Sequence, residues 1–127
     1  MRLLVDTHTL LWHREGSEQL GQNARRMIAD PANQVFISIA TLWEMSIKRS
    51  LGKLVTFKSP SELLTIYQNG GAELLSITPG HIAVVEALPW HHRDPFDRML
   101  IAQALTEGLT IVTRDDAFRR YEVALAW

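Results

Sequence analysis

A chain of 127 residues, 46% of them hydrophobic, is long enough for one domain with a substantial apolar core, so we predict a single domain over residues 1–127. The absence of cysteine excludes disulfides and thiolate zinc sites, and a formal net charge of −1 argues against a large basic nucleic-acid surface. No apolar run approaches the roughly 20 residues of a membrane helix, and Asp6 comes too early for a signal-peptide core, so we expect a cytoplasmic protein without a membrane segment.

Short apolar runs alternate with longer helical patterns along the chain. Buried strands are predicted at residues 3–5, 35–37, 73–75 and 110–112, with a candidate fifth strand at 123–125. Helices are predicted at residues 23–29, 39–51, 60–67, 79–87 and 95–107. Brief apolar runs without alternation are typical of parallel strands covered on both faces. The pattern predicts a three-layer α/β/α domain around a mostly parallel sheet of four to five strands.

Two kinds of signal mark the helix ends. Asp94 and Pro95 form an N-cap carboxylate followed by proline at the first helical position. Gly52 and Gly108 stand where predicted helices stop, and glycine is common just past a helix end. We therefore expect the helix that carries Asp97 to begin directly after Asp94.

Two acids follow predicted strands at the same edge of the sheet. Asp6 comes directly after the first strand, and Asp115 comes shortly after the fourth. Ligands of open parallel sheets bind beyond the carboxyl ends of the strands. Taken singly, each acid is also explained as a turn or cap residue.

Two further acids lie on predicted helices. Glu44 shares its helix face with apolar residues, where a carboxylate needs either a cation or an ion pair such as one with Lys48. Asp97 heads a buried helical stripe, although Asp94 and Asp97 also have the spacing of a capping box. Capping explains Asp94 better than Asp97, because Asp97 is expected to point at the sheet edge.

Four acids at one edge are harder to explain as caps and ion pairs. Carboxylates about 5 Å apart repel by roughly 3 kcal/mol per pair at an effective dielectric constant near 20. A divalent cation would remove this cost, and oxygen-only ligands favour Mg²⁺ or Mn²⁺. Such an ion generates a hydroxide and stabilises the charge that develops in phosphoryl transfer. The acids therefore suggest a metal-dependent hydrolase.

The same residues lie in segments that resemble the PIN-domain ribonucleases, specifically the VapC-type toxins of type II toxin–antitoxin systems. The matching segments occur in family order and span nearly the whole chain: LLVDTHTLLW at 3–12, SIATLWEMSIKRSLGKL at 38–54, HHRDPFDRMLIAQAL at 91–105 and IVTRD at 111–115. The resemblance implies an endonuclease that cleaves structured cellular RNA with Mg²⁺ or Mn²⁺. It also implies a cognate antitoxin protein and a homodimer.

Carried over residue by residue, the resemblance places four catalytic and metal-binding acids on this chain. They are Asp6, Glu44, Asp97 and Asp115. Asp94 is the alternative for the third acid. Asp116 is the alternative for the fourth, although we expect it to cap a short helix over residues 117–120.

Four basic residues are candidates for RNA contact: Lys48, Arg49, Arg98 and Arg114. Arg98 and Arg114 flank proposed acids, and we expect them to hold phosphate or to pair with carboxylates, with pairing favoured.

Other interpretations of the acids remain open. His91 and His92 are adjacent and point apart, so we predict a loop rather than a metal pair. A haloacid-dehalogenase-like phosphatase needs an acid where the chain has His8. The alternatives to a toxin are a non-toxin PIN-type nuclease and a non-catalytic α/β interaction module.

Overall fold

The strands of the sheet are short apolar runs, as expected for strands that helices cover on both faces. The computed structural model describes all residues, 1–127. The five strands are Arg2–Val5 (β1), Gln34–Ser38 (β2), Glu73–Leu75 (β3), Thr110–Val112 (β4) and Leu125–Ala126 (β5). The six α-helices are Thr7–Glu15 (α1), Gln22–Ala29 (α2), Ile39–Ser50 (α3), Pro60–Asn69 (α4), Pro79–Ala87 (α5) and Pro95–Glu107 (α6), and a 3₁₀ helix spans Asp116–Arg120. No α-helix combines the length and apolar character needed to cross a membrane.

The predicted three-layer α/β architecture with a parallel sheet is confirmed. The strand order is β3-β2-β1-β4-β5, and every neighbouring pair is parallel. Leu4 packs into one core cluster with α5 and α6, whereas Leu3 packs into a second with α1, α2 and α4. Successive residues of a strand point to opposite faces, so one short run of apolar residues supplies both cores.

The strand order reverses direction at β1. The chain passes from β1 to β2 and β3 on one side, then returns to β4 and β5 on the other. Asp6 follows β1 and Thr113 follows β4 at this reversal, where the Asp6 amide donates to the Val112 carbonyl at 3.3 Å. Ligands of open parallel sheets bind beyond the strand ends at such a point.

The helix α1 was not predicted from the sequence. Its buried face carries Thr7, Thr9 and Leu10, so it shows no apolar repeat of helical period. Asp6 starts it by accepting a hydrogen bond from the Thr9 amide, and Gly16 ends it at φ 65°. The last strand also differs from the prediction: it spans Leu125–Ala126 and not residues 123–125.

The N-terminus of α6 depends on Asp94, whose carboxylate accepts from the amides of Phe96 and Asp97 at 2.9 and 3.1 Å. We predict that Asp94→Ala lowers the free energy of unfolding by about 1 kcal/mol, because two helix amides lose their acceptor. Asp94→Asn should change it by only a few tenths, since asparagine caps about as well. Urea unfolding measures both, and equal destabilisation by the two variants would contradict a capping role.

Candidate active site

Asp6 is held by two hydrogen bonds at the end of β1. Its Oδ1 accepts from the Thr9 amide at 2.8 Å, and its Oδ2 accepts from the Thr113 hydroxyl at 2.6 Å. The Thr113 hydroxyl in turn accepts from the Asp115 amide at 3.0 Å. Thr113 thus ties the segment after β4 to the carboxylate after β1, which explains why Asp6 and Asp115 share one edge.

Asp115 stands at the start of the 3₁₀ helix. Its Oδ1 accepts from the Ala117 amide at 2.9 Å, while its Oδ2 has no hydrogen-bond partner in the protein. The neighbouring Asp116 is 84% exposed and pairs with Arg119 at 3.2 Å. Asp116 therefore turns away from the cluster, and Asp115 is the acid that faces the cleft with Asp6.

Glu44 is buried where α3 packs against the start of α1. Its Oε1 accepts from the Thr7 hydroxyl at 2.6 Å, and its Oε2 pairs with Lys48 Nζ at 2.7 Å. The ion pair considered from the sequence is thus present. It uses the Glu-before-Lys order that favours such pairs one turn apart on a helix.

Asp97 is where the electrostatic effect of the cluster is largest. Burial, the largest cause, and the negative charges of Asp94, Glu44, Asp115 and Asp6 together raise the pKa of its carboxyl from the usual 3.8 to about 8. The structure therefore brings together all four acids singled out in the sequence. At neutral pH the Asp97 carboxyl holds its proton unless a cation enters the site.

A hydrogen-bond chain that the sequence did not predict orients Asp97. The Tyr121 hydroxyl accepts from Arg98 Nη1 at 3.1 Å and lies 2.8 Å from His92 Nδ1. A phenol hydroxyl can accept and donate at once, so Tyr121 links Arg98 to His92. His92 Nε2 completes the chain, 3.3 Å from Asp97 Oδ2. Loop histidines carry no periodic signal, so only the proximity of Tyr121 identifies this role.

Arg98 is not available for the phosphate or carboxylate contact suggested by the sequence. Its side chain is only 2% exposed, and its guanidinium lies 3.8 Å from the Trp90 ring centre. Besides Tyr121, its donors reach the carbonyls of Pro89 at 2.7 Å and of Val85 and Leu88 at 3.3 Å. The expectation of RNA contact by Arg98 is wrong, because these acceptors, at the end of α5 and just beyond it, occupy its donors.

The other predicted cations lie in different surroundings. Lys48 is engaged by Glu44, and Arg49 lines a separate groove with Gly52 and neighbouring residues. Arg114 lines the cleft beside Asp6, with its guanidinium 4.6 Å from the Trp12 ring centre. Of the four basic candidates, Arg114 alone faces the acids with its charge unpaired.

The donor set suits a hard divalent cation. All the candidate ligands are carboxylate oxygens, and Asp97 and Asp115 each keep one oxygen without a protein partner. No three His, Asp or Glu side chains converge as a ready-made cage. Mg²⁺ does not need one, because it keeps several waters and typically uses one or two carboxylates.

Comparison with known proteins agrees with the architecture of the fold. The chain matches the PIN domain family over residues 3–124. VapBC2 from Rickettsia felis, bound to a DNA fragment from its promoter, is similar in structure, with a TM-score of 0.73 and 17% identity over 100% of this chain and 99% of that one. A toxin–antitoxin complex from Klebsiella pneumoniae has a TM-score of 0.66 and 20% identity over 98% and 96%. No curated protein matches the sequence. At these identities the structural matches show the fold alone.

The raised pKa of Asp97 predicts how stability depends on pH in metal-free protein. Between pH 3.8 and about 8, the unfolded chain has lost the Asp97 proton while the folded chain keeps it. The protonated Asp97 carboxyl therefore makes its whole contribution to the free energy of unfolding below this window, and that contribution is lost as the pH rises through it. We expect Asp97→Asn to reduce the fall of the unfolding free energy with pH by up to about 1.4 kcal/mol per pH unit.

Urea unfolding in the presence of a chelator, repeated across this window, measures the decline in both proteins. The difference between the slopes of the two proteins reports the contribution of the Asp97 carboxyl. Identical slopes in the two proteins would show that the fold does not raise the pKa of Asp97.

Proposed function

Since the chain belongs to the PIN-domain family, we propose that it is a Mg²⁺- or Mn²⁺-dependent endoribonuclease that acts as the toxin of a toxin–antitoxin pair. The observation that carries the proposal is the convergence of negative charge on Asp97, a partly buried carboxyl whose pKa is raised to about 8. Proteins concentrate like charges in this way where a cation or a reaction requires it. One protein of similar fold is described as a toxin–antitoxin complex, which supports the second half of the proposal.

We assign the metal-holding role to Asp6, Asp97 and Asp115, with Glu44 as the fourth acid. When bound, the cation activates water and neutralises negative charge on the phosphodiester. Thr113 and Thr7 orient Asp6 and Glu44 through their hydroxyls, at 2.6 Å in both cases. The hydrogen bond between His92 Nε2 and Asp97 Oδ2 orients the carboxyl of Asp97.

The interaction-module alternative explains part of the cluster. Asp6 caps α1, Asp115 caps the 3₁₀ helix, and Glu44 pairs with Lys48. Asp97 separates the two hypotheses, because it accepts no helix amide and pairs with no arginine or lysine. A module that needed only caps and ion pairs would gain nothing from a carboxyl placed against four other acids.

Several properties stay predictions: a homodimer and structured cellular RNA as the substrate, which the family resemblance implies, and a cytoplasmic location and RNA contact by Lys48 and Arg49, which were predicted from the residues themselves. An antitoxin is the partner most closely linked to the proposal. A cationic side chain from such a partner would be attracted to the acids, since the site lacks a full complement of cations.

The nuclease activity has a direct test. Asp6→Asn, Glu44→Gln, Asp97→Asn and Asp115→Asn keep the shape of each side chain and remove one charge. We expect each to lower kcat/KM for RNA cleavage by on the order of a hundredfold or more, because metal binding is weakened. Asp116→Asn is the matched control: it alters the adjacent acid, which is exposed and outside the cluster, and should leave cleavage unchanged.

Cleavage is measured on a fluorescent RNA with Mg²⁺ or Mn²⁺ and again with excess EDTA. A mock purification from cells that lack the gene reports contaminating ribonuclease. Wild-type activity that persists in EDTA, or an Asp97→Asn variant as active as wild type, would overturn the metal-dependent mechanism.

The toxin assignment predicts growth arrest when the chain is expressed alone in bacteria. Co-expression of the small protein encoded beside it should restore growth, because an antitoxin that occupies the acidic site excludes RNA. Growth curves with Asp97→Asn test whether arrest depends on the site. Normal growth with soluble, RNA-cleaving protein and no neighbour present would refute the toxin role and leave the nuclease intact.

A further inference from the structure

A cleft of about 270 Å³ opens beside two of the acids. It is lined by Asp6, His8, Trp12, Arg114 and Asp115. The cleft is slightly smaller than the roughly 300–1,000 Å³ pockets that enclose small molecules. A groove of this size suits one unit of a polymer that passes along the surface. Besides the two acids, its lining consists of an aromatic ring, an imidazole and a guanidinium, which are groups that recognise nucleotides.

The Arg114 guanidinium is held in place by Trp12. Its central carbon lies 4.6 Å from the centre of the Trp12 ring. Trp12 is itself braced, edge-on against Trp127 at 6.0 Å and beside the His8 ring at 5.7 Å. A guanidinium that rests on a fixed ring keeps its planar fork of donors aligned in one direction.

The donors of Arg114 are left unused although acids line the same cleft. Arg114 makes no salt bridge with Asp6 or Asp115, and its one protein hydrogen bond is a long 3.5 Å contact with Gln19. His8 is exposed and has no hydrogen-bond partner. Lys48 and Arg98 are engaged elsewhere. Arg114 is therefore a free cationic donor in the same cleft as Asp6 and Asp115.

We propose that this cleft is a phosphate subsite for RNA, in which Arg114, stacked on Trp12, binds the phosphate next to the one that is cleaved. The inference rests on the proposed ribonuclease function. Arg114 supplies two parallel N–H donors to the non-bridging oxygens, a geometry that matches phosphate. His8 faces the same phosphate from α1. Trp12 is a positioning residue: it holds Arg114 in place and does not itself contact the RNA.

The subsite defines a path for the RNA across the protein surface. The strand enters along α1 and the segment after β4, next to Asp6 and Asp115. The predicted RNA contact by Lys48 and Arg49 on α3 is the competing path. With a net charge of −1, the protein has no general positive field to hold RNA, so one well-placed arginine has a large share of the affinity.

Binding of a fluorescein-labelled RNA oligonucleotide, followed by anisotropy with Ca²⁺ in the Asp97→Asn background, tests the subsite. Arg114→Gln should weaken binding roughly tenfold and reduce the slope of log Kd against log salt by about one. Arg114→Lys should keep the slope, because the charge remains, but lose part of the affinity, because the fork is gone. Arg119→Gln, which removes one positive charge from the adjacent 3₁₀ helix, is the matched control and should have little effect.

The role of Trp12 is tested by a double-variant cycle. Trp12→Leu should weaken binding when Arg114 is present and add nothing in the Arg114→Gln background, whereas Trp12→Phe should retain most of the affinity. Thermal unfolding of each variant identifies any general loss of structure. Additive effects of Trp12→Leu and Arg114→Gln would overturn the positioning role.

The subsite and the proposed function fail in different ways. If wild-type protein cleaves RNA but Arg114→Gln binds it no worse than Arg119→Gln, the subsite is wrong and the nuclease stands. If a Lys48→Gln/Arg49→Gln double variant changes the salt slope and Arg114→Gln does not, the RNA lies along α3. If wild-type protein neither binds nor cleaves RNA, the proposed function fails first.

Discussion

The buried guanidinium of Arg98 is the constraint on which the placement of the site depends. A charge that is only 2% exposed is stable in the fold only if its donors are satisfied, and here they reach three backbone carbonyls and the Tyr121 hydroxyl. Those carbonyls belong to the end of α5 and the residues just after it, so Arg98 ties the start of α6 to α5. The intervening loop, which contains His92 and Asp94, is thereby held in one conformation.

The site extends this constraint from the core to the edge of the sheet. Tyr121 accepts from Arg98 and lies 2.8 Å from His92, and His92 reaches Asp97 at 3.3 Å. A buried cation and a partly buried acid are thus linked through Tyr121 and His92 instead of by direct contact. This arrangement orients the Asp97 carboxyl and leaves it without an arginine or lysine partner.

The remaining acids combine structural and chemical roles. Asp6 starts α1 and Asp115 starts the 3₁₀ helix, so each is supported by helix amides at the position where a strand delivers it to the edge. These hydrogen bonds offset part of the repulsion among the carboxylates. Asp97 has no such support, and its pKa is raised to about 8. The fold therefore accommodates the cluster without a cation, but part of the repulsion among the carboxylates remains.

The sequence by itself determined the elements and residues whose signals are local. Short apolar runs identified the strands, Asp94 and Pro95 identified the start of α6, and the position of Asp6 after a strand placed it at the sheet edge. Only the tertiary structure decided that Arg98 is buried, that Trp12 supports Arg114 and that His92 contacts Asp97. Capping and periodicity act within a few residues along the chain. The surroundings of an arginine or a loop histidine depend on segments that meet only after folding.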